Sequence, residues 1–430
     1  NCTGLTGLDF SACNALTEIG ENTFSGCTGL TGELKLPINL TEIGDGAFSG
    51  CTGLTGVLKL PASLTKIKRY TYDNPQGAFR NCTGLTGLDF SACSALTEIG
   101  ESAFSDCTGL TGALKLPDSL TSIKNDTFKN CSGFTGELKL PSSLQSIGNN
   151  AFYGCSGLTG RLNLPLSIRY IDSKAFYGCS GFTGDLKLHA GLTSIEEYTF
   201  YGCTGFTGEL KLPASLESIG EWAFENCSGF TGELKLPASL KSIGWGAFKN
   251  CSGFTGDLEL PAGLTSIEAY TFSGCKGFTG ELKLPANLKS IGGNAFENCS
   301  GFIGELKLPA NLKKISGSVF YHCSGFTGEV RMPSVNAIEK SAFSYCSGLT
   351  SIDLSSCTEL DIESMAFHGC IHAEVRLPTS VSRISRYAFG YGQEAQCAKV
   401  KIKGGSEYNR IYALVTGYPC HYPAALIEQY

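Results

Sequence analysis

The sequence predicts a solenoid, in which short units stack on one another and share one apolar core. Two observations carry this prediction. Cysteines recur every 24 residues, as at Cys227, Cys251 and Cys275, and a phenylalanine stands three places before each of them. A fixed period of this length is typical of stacked repeats, which form one elongated body instead of two or three globular domains.

Each unit contains the pattern of a short strand, a crossing segment and a turn. Residues 137–140 alternate between polar and apolar side chains, as a half-buried strand does, and Pro141 ends the strand because it cannot donate to a sheet. Leu144 and Ile147 lie in the crossing segment, which could form a second short strand. Residues 151–155 are too few for a stable helix and indicate a helical turn. We expect about sixteen such rungs, mostly of 24 residues.

Three units show which class of repeat this is. The units that begin at Leu5, Leu85 and Leu349 fit the leucine-rich-repeat strand segment LxxLxLxx(N/C)xxL. The predicted fold class is therefore a right-handed leucine-rich-repeat solenoid. Parallel strands are expected on its concave face, with short strands and helical turns on the convex side.

The recurring run LPxxLxxIxxxAFxxCxxL resembles the Treponema pallidum-type leucine-rich repeats of BspA-like surface proteins. The resemblance covers roughly residues 1–392, although most units here are one residue longer than is usual in that family. It implies surface display and adhesion to host matrix proteins or to other cells. No residue-level binding site carries over from it.

Two breaks in the period set the expected domain boundaries. Residues 1–392 form the repeat region, with a basic and aromatic loop insertion near residues 66–77. Residues 393–430 are off-pattern and are expected to be a C-terminal cap, in which residues 399–403 form a last strand. Cys397 and Cys420 both lie in this cap, and we expect them to form a disulfide, which implies an oxidising compartment.

Charge and hydropathy exclude some partners. The net charge is −6 with no basic block, which argues against nucleic acid. No apolar run is long enough to span a membrane. Residues 1–10 repeat residues 81–90 letter for letter and open in the middle of a unit. We therefore expect a fragment of a longer protein, without its signal or anchor.

Most of the 21 cysteines occupy one phase of the repeat. This favours buried thiols that act as small apolar fillers in each rung. Disulfides between rungs are the alternative. No metal site is predicted, because Cys370 in the His368–Cys370–His372 cluster is a repeat-phase cysteine and should point inward.

The strands predict rows of exposed charge, since the two leucines of Glu-Leu-Lys-Leu face the core. These rows could simply keep the protein soluble, or they could form a docking face for a charged partner. Rungs that break the rows are the sharper clues, such as the reversed Arg161/Asn163 rung. The candidate binding residues in these rows are Lys139, Glu209, Lys211, Glu233, Lys235, Asp257 and Glu259.

Large aromatic residues recur on consecutive rungs just before the Ala-Phe or Thr-Phe turn. They are Tyr198, Trp222, Trp245 and Tyr270. A stacked aromatic patch could bind proteins or glycans, whereas aromatic padding between turns is the structural alternative.

These observations predict a non-catalytic binding module that is displayed on a cell surface or secreted. It would act as an adhesin-like protein that docks host matrix proteins, cells or glycans. No catalytic motif, cofactor site or phosphate loop is present in the sequence. A structural spacer or display stalk is the alternative, followed by an enzyme whose catalytic part lies outside this chain.

Overall fold

A computed structural model describes residues 4–68, 76–332, 334–390, 397–404, 407–416 and 422–430. It consists of two units, Asn1–Ser215 and Leu216–Tyr430, and each is considered by itself.

In the first unit, short strands alternate between the Leu-x-Leu segment and the Ile segment of the repeat. They are β1 (Glu18–Ile19), β2 (Glu42–Ile43), β3 (Gly56–Lys59), β4 (Lys66–Ile67), β5 (Leu85–Asp89), β6 (Glu98–Ile99), β7 (Ser122–Ile123), β8 (Gly136–Glu137), β9 (Ser146–Ile147), β10 (Leu158–Thr159), β11 (Tyr170–Ile171), β12 (Leu186–Lys187), β13 (Ser194–Ile195) and β14 (Leu210–Lys211).

The second unit repeats this alternation and ends in helical segments and one more strand. Its elements are β15 (Ser218–Ile219), β16 (Ser242–Ile243), β17 (Leu258–Glu259), β18 (Ser266–Ile267), β19 (Leu282–Lys283), β20 (Ser290–Ile291), β21 (Lys314–Ile315), β22 (Gly328–Arg331), β23 (Ala337–Ile338), β24 (Leu349–Asp353), β25 (Leu360–Ile362), β26 (Glu374–Leu377), β27 (Val381–Ile384), β28 (Lys399–Ile402), α1 (Tyr408–Thr416), a 3-10 helix (Ala424–Leu426) and β29 (Ile427–Gln429).

The Ile segments form the more continuous sheet of the first unit. Strands β1, β2, β4, β6, β7, β9 and β11 pair in parallel, and Ile43 lies opposite Ile67, which is 24 residues further along the chain. By contrast, the Leu-x-Leu strands of this unit form isolated pairs and single bridges. The sequence analysis expected the Leu-x-Leu segment to be the main strand of the rung and the Ile segment to be a possible second strand. In this unit the Ile segments instead form the longer sheet.

Phenylalanine rings stack through the interior of each unit. Phe79 lies between Phe48 and Phe104, with ring centroids 5.2 and 5.4 Å away and nearly parallel planes. All three side chains are fully buried. Because the rungs repeat in register, each phenylalanine packs on its equivalent in the next rung, and the period of the sequence becomes a continuous core.

The repeat cysteines are buried, as predicted, but they do more than fill space. Most of these thiols donate a hydrogen bond to the carbonyl oxygen of the phenylalanine in the preceding rung, and the Sγ–O distances lie between 3.0 and 3.2 Å. This bond joins consecutive rungs inside the core. The thiols that make it belong to Cys51, Cys82, Cys107, Cys131, Cys155, Cys179, Cys203, Cys251, Cys275, Cys299, Cys323, Cys346 and Cys370.

The Ala-Phe segments are turns that also connect neighbouring rungs. The Phe48 N–H donates to Ala78 O, and the Gly50 N–H donates to Arg80 O, both at 2.7 Å. Two residues of such a turn have a left-handed backbone, as Gly46 and Gly50 do with φ of 63° and 73°. These left-handed positions aim alternate N–H groups at the next rung.

The C-terminal part extends the strand stack beyond the repeats. Strand β28 confirms the strand expected at residues 399–403, but it is not the last one, because β29 pairs with it in parallel. Helix α1 lies against β27, where the Arg410 guanidinium donates to Val381 O at 2.7 Å. The three residues of β29 show no repeat pattern, so the sequence gives no signal for them.

Candidate functional site

Two surfaces carry the predicted binding residues. The strand face consists of the outward side chains of the Leu-x-Leu strands and the Leu-Pro loops that follow them. The turn face consists of the side chains next to the Ala-Phe and Thr-Phe turns. A ligand could bind only at such surfaces, because the interior is filled by leucine, isoleucine, phenylalanine and cysteine.

On the strand face of the first unit, Lys211 binds two carboxylates. Its Nζ lies 3.4 Å from Asp185 Oδ2 and 3.3 Å from Glu209 Oε2. Lys187 lies opposite Lys211 in the parallel register, so like charges do stand side by side along the row. Lys139 bridges through its backbone to Lys115 and lies apart from the Glu209–Lys211 pair. Exposed ion pairs of this kind contribute little to the stability of the fold, because solvent screens them.

On the strand face of the second unit, four predicted residues line one groove. Glu233, Lys235, Asp257 and Glu259 surround a space of about 680 Å³ together with Lys283. Lys283 Nζ contacts Asp257 Oδ2 at 2.7 Å, and this bond is the main reason why the pKa of Asp257 is lowered. Among the described residues, the Glu259 carboxylate makes no direct ion pair. The wholly acidic rung therefore leaves one carboxylate available to a partner.

On the turn face of the second unit, three predicted aromatic residues form one cluster. The ring of Trp245 lies 5.8 Å from that of Trp222 and 6.1 Å from that of Tyr270. The ammonium of Lys249 lies over both outer rings, 5.2 Å from the centroid of Trp222 and 5.6 Å from that of Tyr270. A 3.2 Å ion pair with the nearly buried Glu225 holds this ammonium in place. We call these five residues the aromatic cluster.

The backbone of the aromatic cluster is unusual for such large side chains. Trp222 and Tyr270 have φ of 55° and 59°, a left-handed conformation that glycine and asparagine adopt most readily. It costs an ordinary residue about 1–2 kcal/mol. Gly246 holds the same position in the rung between them, where a Cβ atom would lie 2.1 Å from Trp222 Cε3. The indole of Trp222 therefore occupies the space that the missing side chain leaves.

The aromatic cluster combines an apolar surface with free polar groups. Trp245 is 45% exposed, which is high for a tryptophan. Within the part of the chain that the structure describes, neither its Nε1–H nor the Tyr270 hydroxyl has a hydrogen-bond partner. Rings with an apolar body and a free donor at one end are well suited to a binding surface.

Tyr198 was predicted to lie with Trp222, Trp245 and Tyr270, but it packs in a different group of rings. Tyr153, Tyr177 and Tyr201 stack in a column with centroid distances of 4.5 and 4.4 Å, and Tyr198 packs against Tyr177 and Tyr201. Burial, together with the neighbouring phenols, raises the pKa of Tyr177 to about 12. The 24-residue spacing of the three stacked tyrosines is the signal in the sequence that could have predicted this column.

The histidine cluster near Cys370 shows no metal-binding arrangement. The Cys370 thiol points inward and donates to Phe343 O at 3.0 Å, as expected for a repeat cysteine. His368 is buried beside Tyr345, with its Nε2 3.2 Å from the Tyr345 hydroxyl, and burial lowers its pKa. Over the described ranges, no three His, Cys, Asp or Glu side chains are grouped to hold a metal ion.

Two predictions fall wholly or partly outside the described residues. Cys420 lies there, so the proposed disulfide with Cys397 stays a prediction. Most of the loop insertion, residues 69–75, also lies there. At its base, the buried Asp45 carboxylate accepts hydrogen bonds from Gln76 N–H at 2.9 Å and from Gly77 N–H at 2.8 Å.

Comparison with known proteins agrees with this repeat architecture. The family model described as BspA type leucine rich repeat region, in 6 copies, matches residues 1–133, 74–207, 121–255, 193–327 and 265–396. None of the curated proteins compared with the chain matches it. In the part that the structure describes, no helix is both long and apolar enough to cross a membrane.

Bacterial leucine-rich-repeat proteins are among the solved structures similar to this one. One from Bacteroides ovatus is 21% identical, with a TM-score of 0.54 over 96% of this chain and 87% of its own. A leucine rich cell surface protein from Faecalibacterium prausnitzii is 22% identical, with a TM-score of 0.42 over 86% and 85%. The T. pallidum leucine rich repeat protein is 29% identical, with a TM-score of 0.31 over 44% and 76%. The first likeness supports the solenoid fold.

Proposed function

Because the chain belongs to the BspA-type leucine-rich-repeat family, we propose that it is a binding module, displayed on a cell surface or secreted, without catalytic activity. In this proposal it acts as an adhesin-like protein that docks a host matrix protein, a cell or a glycan. Its ligand is an extracellular protein or glycan, and the module needs no metal or cofactor.

The aromatic cluster carries this proposal. Trp222 and Tyr270 occupy a costly backbone conformation, yet their rings lie at the surface and add little to the core. A stabilising role would place these rings inside, where each could bury its whole apolar area. Tryptophan and tyrosine are also the side chains that most often dominate binding energy at protein interfaces.

The test is a binding screen of the intact chain against purified matrix glycoproteins, mucin and a glycan array. The variant Trp222→Asn/Trp245→Glu then removes the two indoles. Asn294 and Glu221 already hold the equivalent positions on other rungs, so the fold should tolerate both changes. We expect the variant to lose at least about tenfold in affinity, since central aromatic residues contribute about 2 kcal/mol or more.

The matched control is Ile303→Thr, which removes an exposed apolar side chain from the strand face and restores the threonine found at Thr279. Its affinity should equal that of the wild type. If the wild type binds nothing in the screen at micromolar concentration, the proposal is wrong for this chain.

A spacer or display stalk is the second candidate. It is favoured by the strand face, where Lys211 and Lys283 already have carboxylate partners within the chain. Charges that are paired within the chain in this way can serve solubility alone. An inert binding screen, together with unchanged cell attachment on deleting this region, would support the spacer.

A further inference from the structure

The rung that contains Arg161 departs from the rungs on either side of it at four outward positions. Arg161 and Asn163 stand where both neighbours have an acid and a lysine, Leu166 stands where they have serine and alanine, and Tyr170 stands where both have serine. On the next rung, His189 replaces the proline of the Leu-Pro loop. In a repeat protein, the residues that recur at each repeat position are those that the fold requires. Several different residues close together in one rung therefore indicate a role other than stabilising the fold.

All of these departures except Tyr170 line one groove on the strand face of the first unit. The groove has a volume of about 340 Å³, and its lining includes Arg161, Lys187, Leu166 and His189. The apolar part of its lining is provided by leucines, and Leu166 is 85% exposed. An exposed leucine beside cationic groups makes a surface with both an apolar and a charged component.

The cations of this groove are available to a ligand. Among the described residues, neither Arg161 nor Lys187 makes an ion pair or a side-chain hydrogen bond. Asp185, the acid in the groove, is already engaged by Lys211 and by the Glu209 N–H at 3.0 Å. The groove therefore presents two cations without a direct ion pair in the described residues, and the nearby Asp185 carboxylate offsets part of the Arg161 charge.

Asn163 contributes to this arrangement from the same rung. Its Nδ2 donates to Glu137 Oε1 at 3.2 Å, so the acid of the preceding rung is bonded to Asn163 and makes no direct ion pair with Arg161. A lysine at this position would add a third positive charge, but it has no side-chain amide with which to make this short bond to Glu137.

His189 adds an unsatisfied donor to the groove wall. Its Nδ1 accepts the Gly191 N–H at 3.0 Å, which assigns the ring proton to Nε2. Nε2 is buried and has no hydrogen-bond partner in the described part of the chain. A buried donor without a partner costs about 1–3 kcal/mol, so the replacement of proline by His189 carries a cost that the other rungs avoid.

From this geometry we propose that the groove binds an acidic and apolar peptide segment of a partner protein. The peptide's carboxylates would pair with Arg161 and Lys187, and an apolar side chain would cover Leu166. The groove lining contains no tryptophan, tyrosine or phenylalanine ring on which a sugar could stack. The net charge of −6 disfavours long polyanions such as nucleic acids.

This inference rests on the proposed binding function but uses a different surface from the aromatic cluster. The probe is a fluorescent peptide, GLELELELG with blocked ends, and the matched peptide GLKLKLKLG replaces every glutamate by lysine. Sialyllactose serves as a carboxylate-bearing glycan. Binding of each probe to the intact chain is measured by fluorescence anisotropy or calorimetry at low and at physiological salt.

The key variant is Arg161→Glu/Asn163→Lys, which restores the Glu-Leu-Lys sequence that other rungs carry at residues 137–139 and 209–211. It should fold normally, as a thermal melt would verify. We expect the acidic peptide to bind the wild type, to bind less tightly at higher salt, and to lose at least tenfold in affinity in this variant. His189→Pro should also weaken binding, whereas Trp222→Asn/Trp245→Glu should leave it unchanged.

Three results would overturn the inference: no binding of the acidic peptide, equal binding of the two peptides, or full affinity in the Arg161→Glu/Asn163→Lys variant. Binding of sialyllactose in place of the peptide would also reject a peptide ligand. Failure of the proposed function is recognised separately, because it is read from the matrix and glycan screen and from the aromatic variant.

Discussion

Two adjacent rungs of the first unit have nearly identical interiors and different exteriors. Residues 131–147 and 155–171 share a buried repeat cysteine, a buried strand leucine and a buried isoleucine at equivalent positions. Outside, the first rung carries Glu137 and Lys139, whereas the second carries Arg161 and Asn163. The comparison teaches that stacking constrains the inward positions of a rung, while the outward positions can change without altering the fold.

Deprotonation of the buried thiols at high pH should destabilise the interior that the rungs share more than any other change considered below. Burial raises the pKa of Cys107 and of Cys155 to about 12, whereas the pKa of an exposed thiol is about 8.5. Between these values the unfolded chain loses protons that the folded chain retains, so the free energy of unfolding should fall as the pH rises. Each such thiol contributes about 1.4 kcal/mol per pH unit in that window. We expect the chain to unfold well below pH 12, as followed by circular dichroism.

Cys155→Ala is the control for this effect. Removing one thiol should make the pH dependence of unfolding shallower by about 1.4 kcal/mol per pH unit. A native spectrum that persists unchanged to pH 11 would show that the thiols do not titrate with unfolding.

Loss of a stacked ring should have the next largest effect. Phe152 is fully buried between Phe128 and Phe176, with centroid distances of 5.6 and 5.5 Å. Phe152→Ala should lower the free energy of unfolding by about 3–5 kcal/mol, because it leaves a cavity in the core. Urea denaturation measures the loss, and Tyr170→Ser, at a 69% exposed site, is the control that should change little. Equal losses in the two variants would contradict the division between interior and exterior.

Gly246→Ala tests an outward position that is nevertheless constrained. The new Cβ would lie 2.1 Å from Trp222 Cε3, and the residue would keep a φ of 61°. We expect a loss of about 1–2 kcal/mol and a change in tryptophan fluorescence as the indole moves. The double variant Gly246→Ala/Trp222→Asn should recover the part of the loss that comes from the clash. An unchanged fluorescence spectrum would mean that Trp222 does not depend on Gly246.

The sequence predicted the rungs and their interior well, because stacking in register makes one phase of the repeat correspond to one layer of the core. It did not predict the bond from Cys155 Sγ to Phe128 O, since the period shows that a cysteine is buried but not what its thiol meets. It also underestimated the Ile strands, whose continuity depends on hydrogen bonds between residues 24 positions apart.

The surfaces were harder to predict for a related reason. Arg161 was recognised as a departure from the repeat, but its importance depends on which neighbouring charges are already paired, and that is a matter of side-chain geometry. His189 gave no signal beyond the loss of a proline. Trp222, Trp245 and Tyr270 were predicted as a group, whereas the role of Lys249 between their rings required the structure.

The central claim is that the interior determines this fold and that outward departures from the repeat serve recognition. It is tested most directly by restoring the common residues to one rung, in the variant Arg161→Glu/Asn163→Lys/Leu166→Ala/Tyr170→Ser. Urea denaturation should give a free energy of unfolding within about 0.5 kcal/mol of the wild type, or higher, because none of these side chains contributes to the core. A loss of about 2 kcal/mol or more would show that the departures are needed for the fold, and it would contradict the claim.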